Sequence, residues 1–241
     1  MTDRIFFVGT NTGIGKTSLV CSLLRWATTH GVKALPFKPA QSGDIETPTD
    51  IDRLLTAWGG SPDDAMSACP LTYPEPLAPG LAEDPTPFFR PPAANADPLP
   101  DILDLTKDRL ESWELEHEPD LVFVEGAGGL HVPMPGGTWQ AEWIRALANH
   151  VVVVASSGLG TINHTLLTLD ALEACGLPAL GIYLVDTDGT PDPSRTDNGQ
   201  VIATARGVPI LGTLPFLEPA DGAGPVDLLT PLLDALAAAR D

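Results

Sequence analysis

A glycine-rich segment, GTNTGIGKT (9–17), stands between the apolar run IFFV and the helix-patterned SLVCSLLRWA. Glycines let backbone N–H groups approach an anion closely, and a helix N-terminus adds its partial positive charge. Lys16 leaves this loop as a point charge suited to terminal phosphates. The Thr17 hydroxyl suits Mg²⁺, a hard cation that keeps several of its waters. Strand, Gly-Lys-Thr loop and helix together make a phosphate-binding arrangement. Its spacing is unusual, because five residues rather than four separate Gly9 from Gly15.

A nucleotide–Mg²⁺ site also needs carboxylates. Glu125 ends the apolar run LVFVE, directly before the glycines of GAGG. A carboxylate at the C-terminal edge of a parallel strand faces the crevice where open α/β sheets bind ligands. Asp50 and Asp52, in TPTDIDRLL, stand where a helix begins, and either suits a second metal contact, Asp50 being preferred. Lys38, in FKPAQSG, follows a strand end in a chain poor in lysine.

These groups need a scaffold, and the chain alternates short apolar runs with helix-period segments. IFFVG (5–9), KALPFK (33–38), LVFVEG (121–126), VVVVAS (151–156), ALGIYLV (179–185) and VPILGTLP (208–215) read as strands. Leu19, Val20, Leu23, Leu24 and Ala27 form one helical stripe, and Trp139, Trp143, Ile144 and Leu147 another. A further helix is expected from about Asn163 to Ala174, and the tail VDLLTPLLDALAAAR reads as a helix interrupted by Pro231. Unbroken β-branched runs separated by helices imply a mostly parallel sheet covered on both faces, an α/β three-layer sandwich. Residues 70–100 are crowded with proline and cannot hold a long helix; they read as an excursion that suits a substrate lid. The whole chain, 1–241, is expected to form one domain.

Composition narrows the partners. With 13 Lys+Arg against 32 Asp+Glu the formal charge is −19, which repels nucleic acid and anionic membranes. An anionic ligand therefore requires cations gathered locally. Cys21, Cys69 and Cys175 have no metal or redox spacing and read as small buried side chains in a reducing compartment. No apolar run approaches the ~20 residues of a membrane span, and no signal peptide is visible, so a cytoplasmic protein is expected.

Five segments in order, GTNTGIGKT, FKPAQSG, VFVEGAGGL, GLGTINHTLLTLDAL and GTLPFL, resemble the dethiobiotin synthetases, over nearly the whole chain. The five-residue loop spacing is that family's own form. The resemblance implies a P-loop NTPase-like fold, a homodimer, and ATP-dependent conversion of 7,8-diaminononanoate and CO₂ to dethiobiotin through a carbamate and a carbamic-phosphoric anhydride. It also implies site roles. Gly9, Thr10, Asn11, Thr12 and Gly13, then Ile14, Gly15, Lys16, Thr17 and Ser18, would cradle the triphosphate, with Pro215 and Leu217 near the base. Lys16, Lys38 and Ser42 would be catalytic, and Thr17, Asp50 and Glu125 would hold Mg²⁺. Ser42, Gly128, Thr161, Ile162 and Asn163 would bind the substrate, the last three its carboxylate across the dimer interface; a plain helix cap is the other reading of Asn163.

Three positions depart from the family pattern. Gly13 replaces an acidic residue, Gly80 a histidine, and Val185 an asparagine that reads the adenine edge, so weak discrimination among bases is expected. The rival reading is a deviant P-loop ATPase acting as a dimerising switch. Such proteins carry an extra lysine early in the loop, where this chain has Thr10 and Asn11.

Overall fold

The structure is a computed structural model that describes residues 2–43, 48–89, 101–217, 224 and 226–240. The chain opens with β1 (Asp3–Gly9), α1 (Lys16–His30), β2 (Ala34–Phe37), β3 (Ala40–Ser42) and α2 (Asp50–Trp58). Short pieces follow: α3 (Ala65–Ala68), β4 (Leu71–Tyr73), α4 (Pro79–Glu83) and α5 (Thr86–Phe89). Next come α6 (Ile102–His117), β5 (Leu121–Gly129), β6 (Pro133–Met134), β7 (Thr138–Trp139) and α7 (Gln140–Leu147). The chain continues with β8 (His150–Ser156), α8 (Thr161–Ala174), β9 (Ala179–Val185), α9 (Asn198–Arg206), β10 (Ile210–Leu214) and α10 (Leu229–Ala238).

Six strands form one sheet in the order β10-β9-β8-β1-β5-β2, each pair parallel. Ile5, Phe6, Phe7 and Val8 are all fully buried in β1, as are Val122–Val124 in β5 and Val152–Val154 in β8. Successive strand residues point to opposite faces, so continuous burial means both faces are covered. α1 packs between α2 and α10, while α6 meets α7 and α8 meets α9, completing three layers. The small pairs β3/β4 (parallel) and β6/β7 (antiparallel) stand apart from the main sheet.

Several expectations change in detail. Pro231 does not interrupt α10; it is the third residue of that helix, in the first turn, where backbone N–H groups have no intrahelical acceptor to lose. Trp139 does not share the α7 face. It belongs to β7 and is 45% exposed, and its backbone N–H donates to Glu142 Oε2 in the first turn of α7, so the helix starts one residue later, at Gln140. The prolines of 70–89 leave only short elements, while residues 90–100 of the expected excursion lie outside the described residues. Cys21 and Cys69 are buried, but Cys175 is only partly so.

Helix α6 has no counterpart in the sequence reading. Asp101 caps it by accepting from Leu103 and Asp104 N–H, and it buries only Thr106, Leu110 and Trp113, a narrow stripe with a polar member. Trp113 Nε1 donates to the Pro36 carbonyl at 3.1 Å. Pro36 sits mid-way along the edge strand β2, a position proline tolerates only when its nitrogen faces away from the neighbouring strand. Trp113→Phe deletes the donor and part of the ring volume. It is expected to lower stability by about 2–3 kcal/mol in urea unfolding, with ligand affinity changed little because Trp113 does not line the cavity.

Candidate active site

Every group singled out in the sequence for phosphate chemistry follows the C-terminal end of a strand or begins the helix after it. Gly9 ends β1, Lys38 follows β2, Glu125 lies where β5 leaves the sheet interior, and Thr17 is in the first turn of α1. Pairing of β1 and β2 with β5 brings these ends side by side. They face a cavity of about 720 Å³, within the usual ~300–1,000 Å³ of small-molecule sites. Thr12, Gly13, Gly15, Lys16, Thr17 and Ser18 form its floor. Val185–Thr187, Leu214–Leu217 and Pro76–Pro79 line the rest of it.

The loop is built for close approach. Gly13 and Gly15 have φ of 74° and 87°, a region that favours glycine. At Gly15 a Cβ would also stand 2.5 Å from Val185 Cγ1. Val185 is 2% exposed, so its side chain supports the loop from beneath. Among the described residues, the amides of Gly13, Ile14 and Gly15 donate to no protein acceptor. Lys16 folds back over the loop, its Nζ 3.3 Å from the Asn11 carbonyl, and is 7% exposed. Burial pulls its pKa down to about 8; Glu125 opposes the shift and Lys38 adds to it.

The carboxylates converge on Thr17. Its Oγ1 lies 2.8 Å from Glu125 Oε1 and 3.1 Å from Asp50 Oδ1. Lys38 Nζ lies 2.7 Å from Glu125 Oε1 and 3.1 Å from Asp50 Oδ2. Burial alone would discharge Lys38, but these two carboxylates hold it above the usual lysine range; burial likewise opposes the charge of Asp50, and Lys38 keeps that carboxyl below its usual value. Asp52 takes no part. It closes a capping box with Thr49 at the start of α2. Two carboxylates and a hydroxyl suit a hard cation that retains water, and Glu125 Oε2 is buried with no hydrogen-bond partner among the described residues. Among the described residues, no three His, Cys, Asp or Glu side chains gather into a metal cage.

Other expected residues divide. Ser42 lines the cavity, but its hydroxyl donates to the Leu77 carbonyl at 2.6 Å, which leaves the oxygen as an acceptor. Gly128, with φ 57°, packs over Thr12 Oγ1. Pro215 and Leu217 line the cavity, whereas Thr161, Ile162 and Asn163 do not. These three form the first turn of α8, whose N-cap is Gly160; Asn163 is therefore not a cap. Gly80 carries no side chain because a Cβ would stand 2.4 Å from the Met134 carbonyl oxygen.

Three supporting residues escape a reading by motif. Gln41 Oε1 accepts from Ile51 N–H at 3.2 Å and fixes the start of α2, hence Asp50. Gln140 Nε2 donates to the Gly129 carbonyl and holds the end of β5. Arg53 Nη2 reaches Ser18 Oγ at 3.0 Å on the cavity rim. Gln41 lies inside FKPAQSG and Arg53 is one helical turn from Asp50, which are the signals that could have found them.

A family model described as an AAA domain matches residues 3–223. The chain is 40% identical over 214 residues to the ATP-dependent dethiobiotin synthetase of Anaeromyxobacter dehalogenans, across 88% of this chain and 89% of that one. It is 36% identical over 214 residues to the protein of the same name from Rhodococcus erythropolis, across 88% of each. Among solved structures, the signal recognition particle receptor FtsY from Elizabethkingia anophelis matches with a TM-score of 0.52 at 15% identity, over 98% of this chain and 65% of that one. That likeness shows the fold alone. No described helix is long and apolar enough to cross a membrane.

Two predictions follow from the geometry. A bound phosphate returns the proton that Lys16 loses above about pH 8, so the complex holds more protons than the free protein in that range. Triphosphate affinity is expected to fall as pH rises from 7.5 to 9.5, approaching tenfold per unit, and the trend should vanish in Lys16→Met; calorimetry in EDTA at several pH values reads both. Asp52→Ala is expected to cost about 1 kcal/mol of stability by loss of the cap, with nucleotide affinity retained. Asp50→Ala should do the reverse, changing Mg²⁺-dependent nucleotide affinity while leaving the cap intact.

Proposed function

The chain belongs to the dethiobiotin synthetase family, and from that premise we propose how its cavity performs ATP-dependent closure of a cyclic urea. The substrates are 7,8-diaminononanoate, CO₂ and ATP. One amine of the diamino acid adds to CO₂ with loss of a proton and becomes a carbamate. A carbamate oxygen attacks the γ-phosphorus, ADP leaves, and a carbamic-phosphoric anhydride remains. The second amine then attacks the carbonyl carbon, phosphate departs with the bond electrons, and a proton is released as the ring closes.

The observation that carries this reading is the convergence of Lys16, Lys38, Thr17, Asp50 and Glu125 at one end of one cavity. A carbamate is a weak nucleophile and both reacting partners are anions, so positioning and charge neutralisation do most of the work. The free loop amides suit the phosphates, and Lys16 the developing charge between β- and γ-phosphates. Lys38 suits the carbamate oxygens. Ser42, as an acceptor, suits a substrate amine N–H. Thr17, Asp50 and Glu125 would hold Mg²⁺, which neutralises phosphate charge when bound.

The remaining features extend the same reading. Thr161–Asn163 lie away from their own chain's cavity, which supports their serving a second copy's substrate in a homodimer. Pro76–Pro79 make the proline-rich excursion a wall of the cavity, in line with a single domain. Three cysteines with no disulfide among the described residues suit a reducing compartment such as the cytoplasm. The switch reading gains nothing from relatives that are named synthetases.

Lys16→Ala is expected to lower dethiobiotin formation by about 10²–10³-fold with an unchanged circular dichroism spectrum. Near-normal turnover would remove Lys16 from the mechanism. Val185 packs against Gly15 and has no donor or acceptor for a base, so affinity rests on the triphosphate. ATP, GTP and CTP are expected to support kcat/KM within about tenfold of one another, roughly 1.4 kcal/mol. An ATP preference of several hundredfold would assign base reading to the backbone of Asp186–Thr187 and Pro215–Leu217.

A further inference from the structure

The two lysines of the cavity are not equivalent. Among the described residues Lys16 Nζ hydrogen-bonds a backbone carbonyl and no carboxylate, whereas Lys38 Nζ is clamped between Glu125 and Asp50. Those carboxylates are also the ones that flank Thr17. A hydroxyl has a single proton and can donate fully to only one of them. The free protein thus holds a hydroxyl and two carboxylates around a place suited to a cation; the Lys38 ammonium meets both carboxylates, while Arg53 stands 3.9 Å from Asp50 alone. Glu125 is 1% exposed, and a buried carboxylate requires such a counter-charge.

We propose that Lys38 occupies the divalent-cation site of the free protein, so that loading a cation and releasing Lys38 toward the carbamate are one event. This rests on Thr17, Asp50 and Glu125 being the metal-holding residues. Glu125 Oε1 is shared by Thr17 and Lys38, and a dication at that oxygen would sit within a few ångströms of the ammonium, a strongly repulsive pairing at such range. Lys38 is anchored by its backbone, N–H to the Ala68 carbonyl at 2.8 Å, while its four-carbon stem carries rotatable bonds that can re-aim the ammonium. The cavity it lines continues toward Gln41 and Ser42, which gives the ammonium somewhere to go. Before the cation arrives, no free charge from Lys38 awaits the carbamate. Afterwards it faces the side of the cavity where Ser42 stands.

Calorimetric titration of nucleotide-free protein with Mn²⁺ tests the exclusion. Lys38→Met and Lys38→Gln are expected to bind Mn²⁺ at least about tenfold more tightly than the parent, and Lys38→Arg no more tightly. Equal or weaker binding by both neutral variants would overturn the proposal. A second measurement needs no variant: the rate of Lys38 acetylation by acetic anhydride, mapped by peptide mass spectrometry, should rise when Mn²⁺ is added. An unchanged rate would also overturn it. Glu125→Gln separates the two levels of the argument, since Mn²⁺ binding that survives this change at the parent value removes the metal reading itself.

Discussion

Lys38, Glu125 and Asp50 come from three separate segments, and neither of the two buried charges, Lys38 and Glu125, can be carried there without the other. That requirement ties much of the architecture together. β2 must lie beside β5 in the register Phe37↔Val124, because only then do residues 38 and 125 leave the sheet at the same level. α2 must begin at residue 50, which the Thr49–Asp52 capping box and Gln41 enforce. α1 must begin immediately after the glycine loop to deliver Thr17 to both carboxylates. Removing Lys38 or Glu125 leaves a buried unpaired charge, a loss of about 3–5 kcal/mol, so this pair restrains the fold as much as it equips the site.

The same triad reconciles an acidic protein with an anionic substrate. The formal charge of −19 repels a triphosphate at long range. Lys16, Lys38 and Arg53 are the cations lining the cavity among the described residues, and only Arg53 is exposed there. Attraction is therefore short-ranged and concentrated where the loop amides already converge. A nucleotide whose charge is partly neutralised by a divalent cation meets less repulsion on approach than a bare one.

The parallel sheet was legible because strands buried on both faces are written as unbroken runs such as IFFV and VVVVA, and the glycine loop because its glycines have a backbone reason. α6 was hidden because only three of its residues are buried and one of them is Thr106. Among the candidate residues, loop spacing singled out Lys16 and Thr17, and places at strand and helix ends singled out Lys38, Asp50 and Glu125; the fold brings all five to one cavity. It could not separate Asp50 from Asp52, since both open a helix and only the cap geometry assigns Asp52 elsewhere. Nor could it show that Val185 supports the loop, because contact with Gly15 joins residues 170 positions apart in the chain (185 − 15). Local pattern reveals elements; which side chain is consumed by structure is decided by tertiary contact.

Pro36 carries a consequence for assembly. In a strand the nitrogen and carbonyl of one residue lie on the same side, and the Pro36 carbonyl is taken by Trp113. Its nitrogen therefore also faces outward, where it has no proton to offer an incoming strand. With α6 packed against β2, that border of the sheet has neither donor nor acceptor to template growth at its middle. Copies of this chain cannot polymerise by strand addition there, so a protein with a long, apolar, all-parallel sheet is protected from fibril formation along this border by one imino acid and one indole.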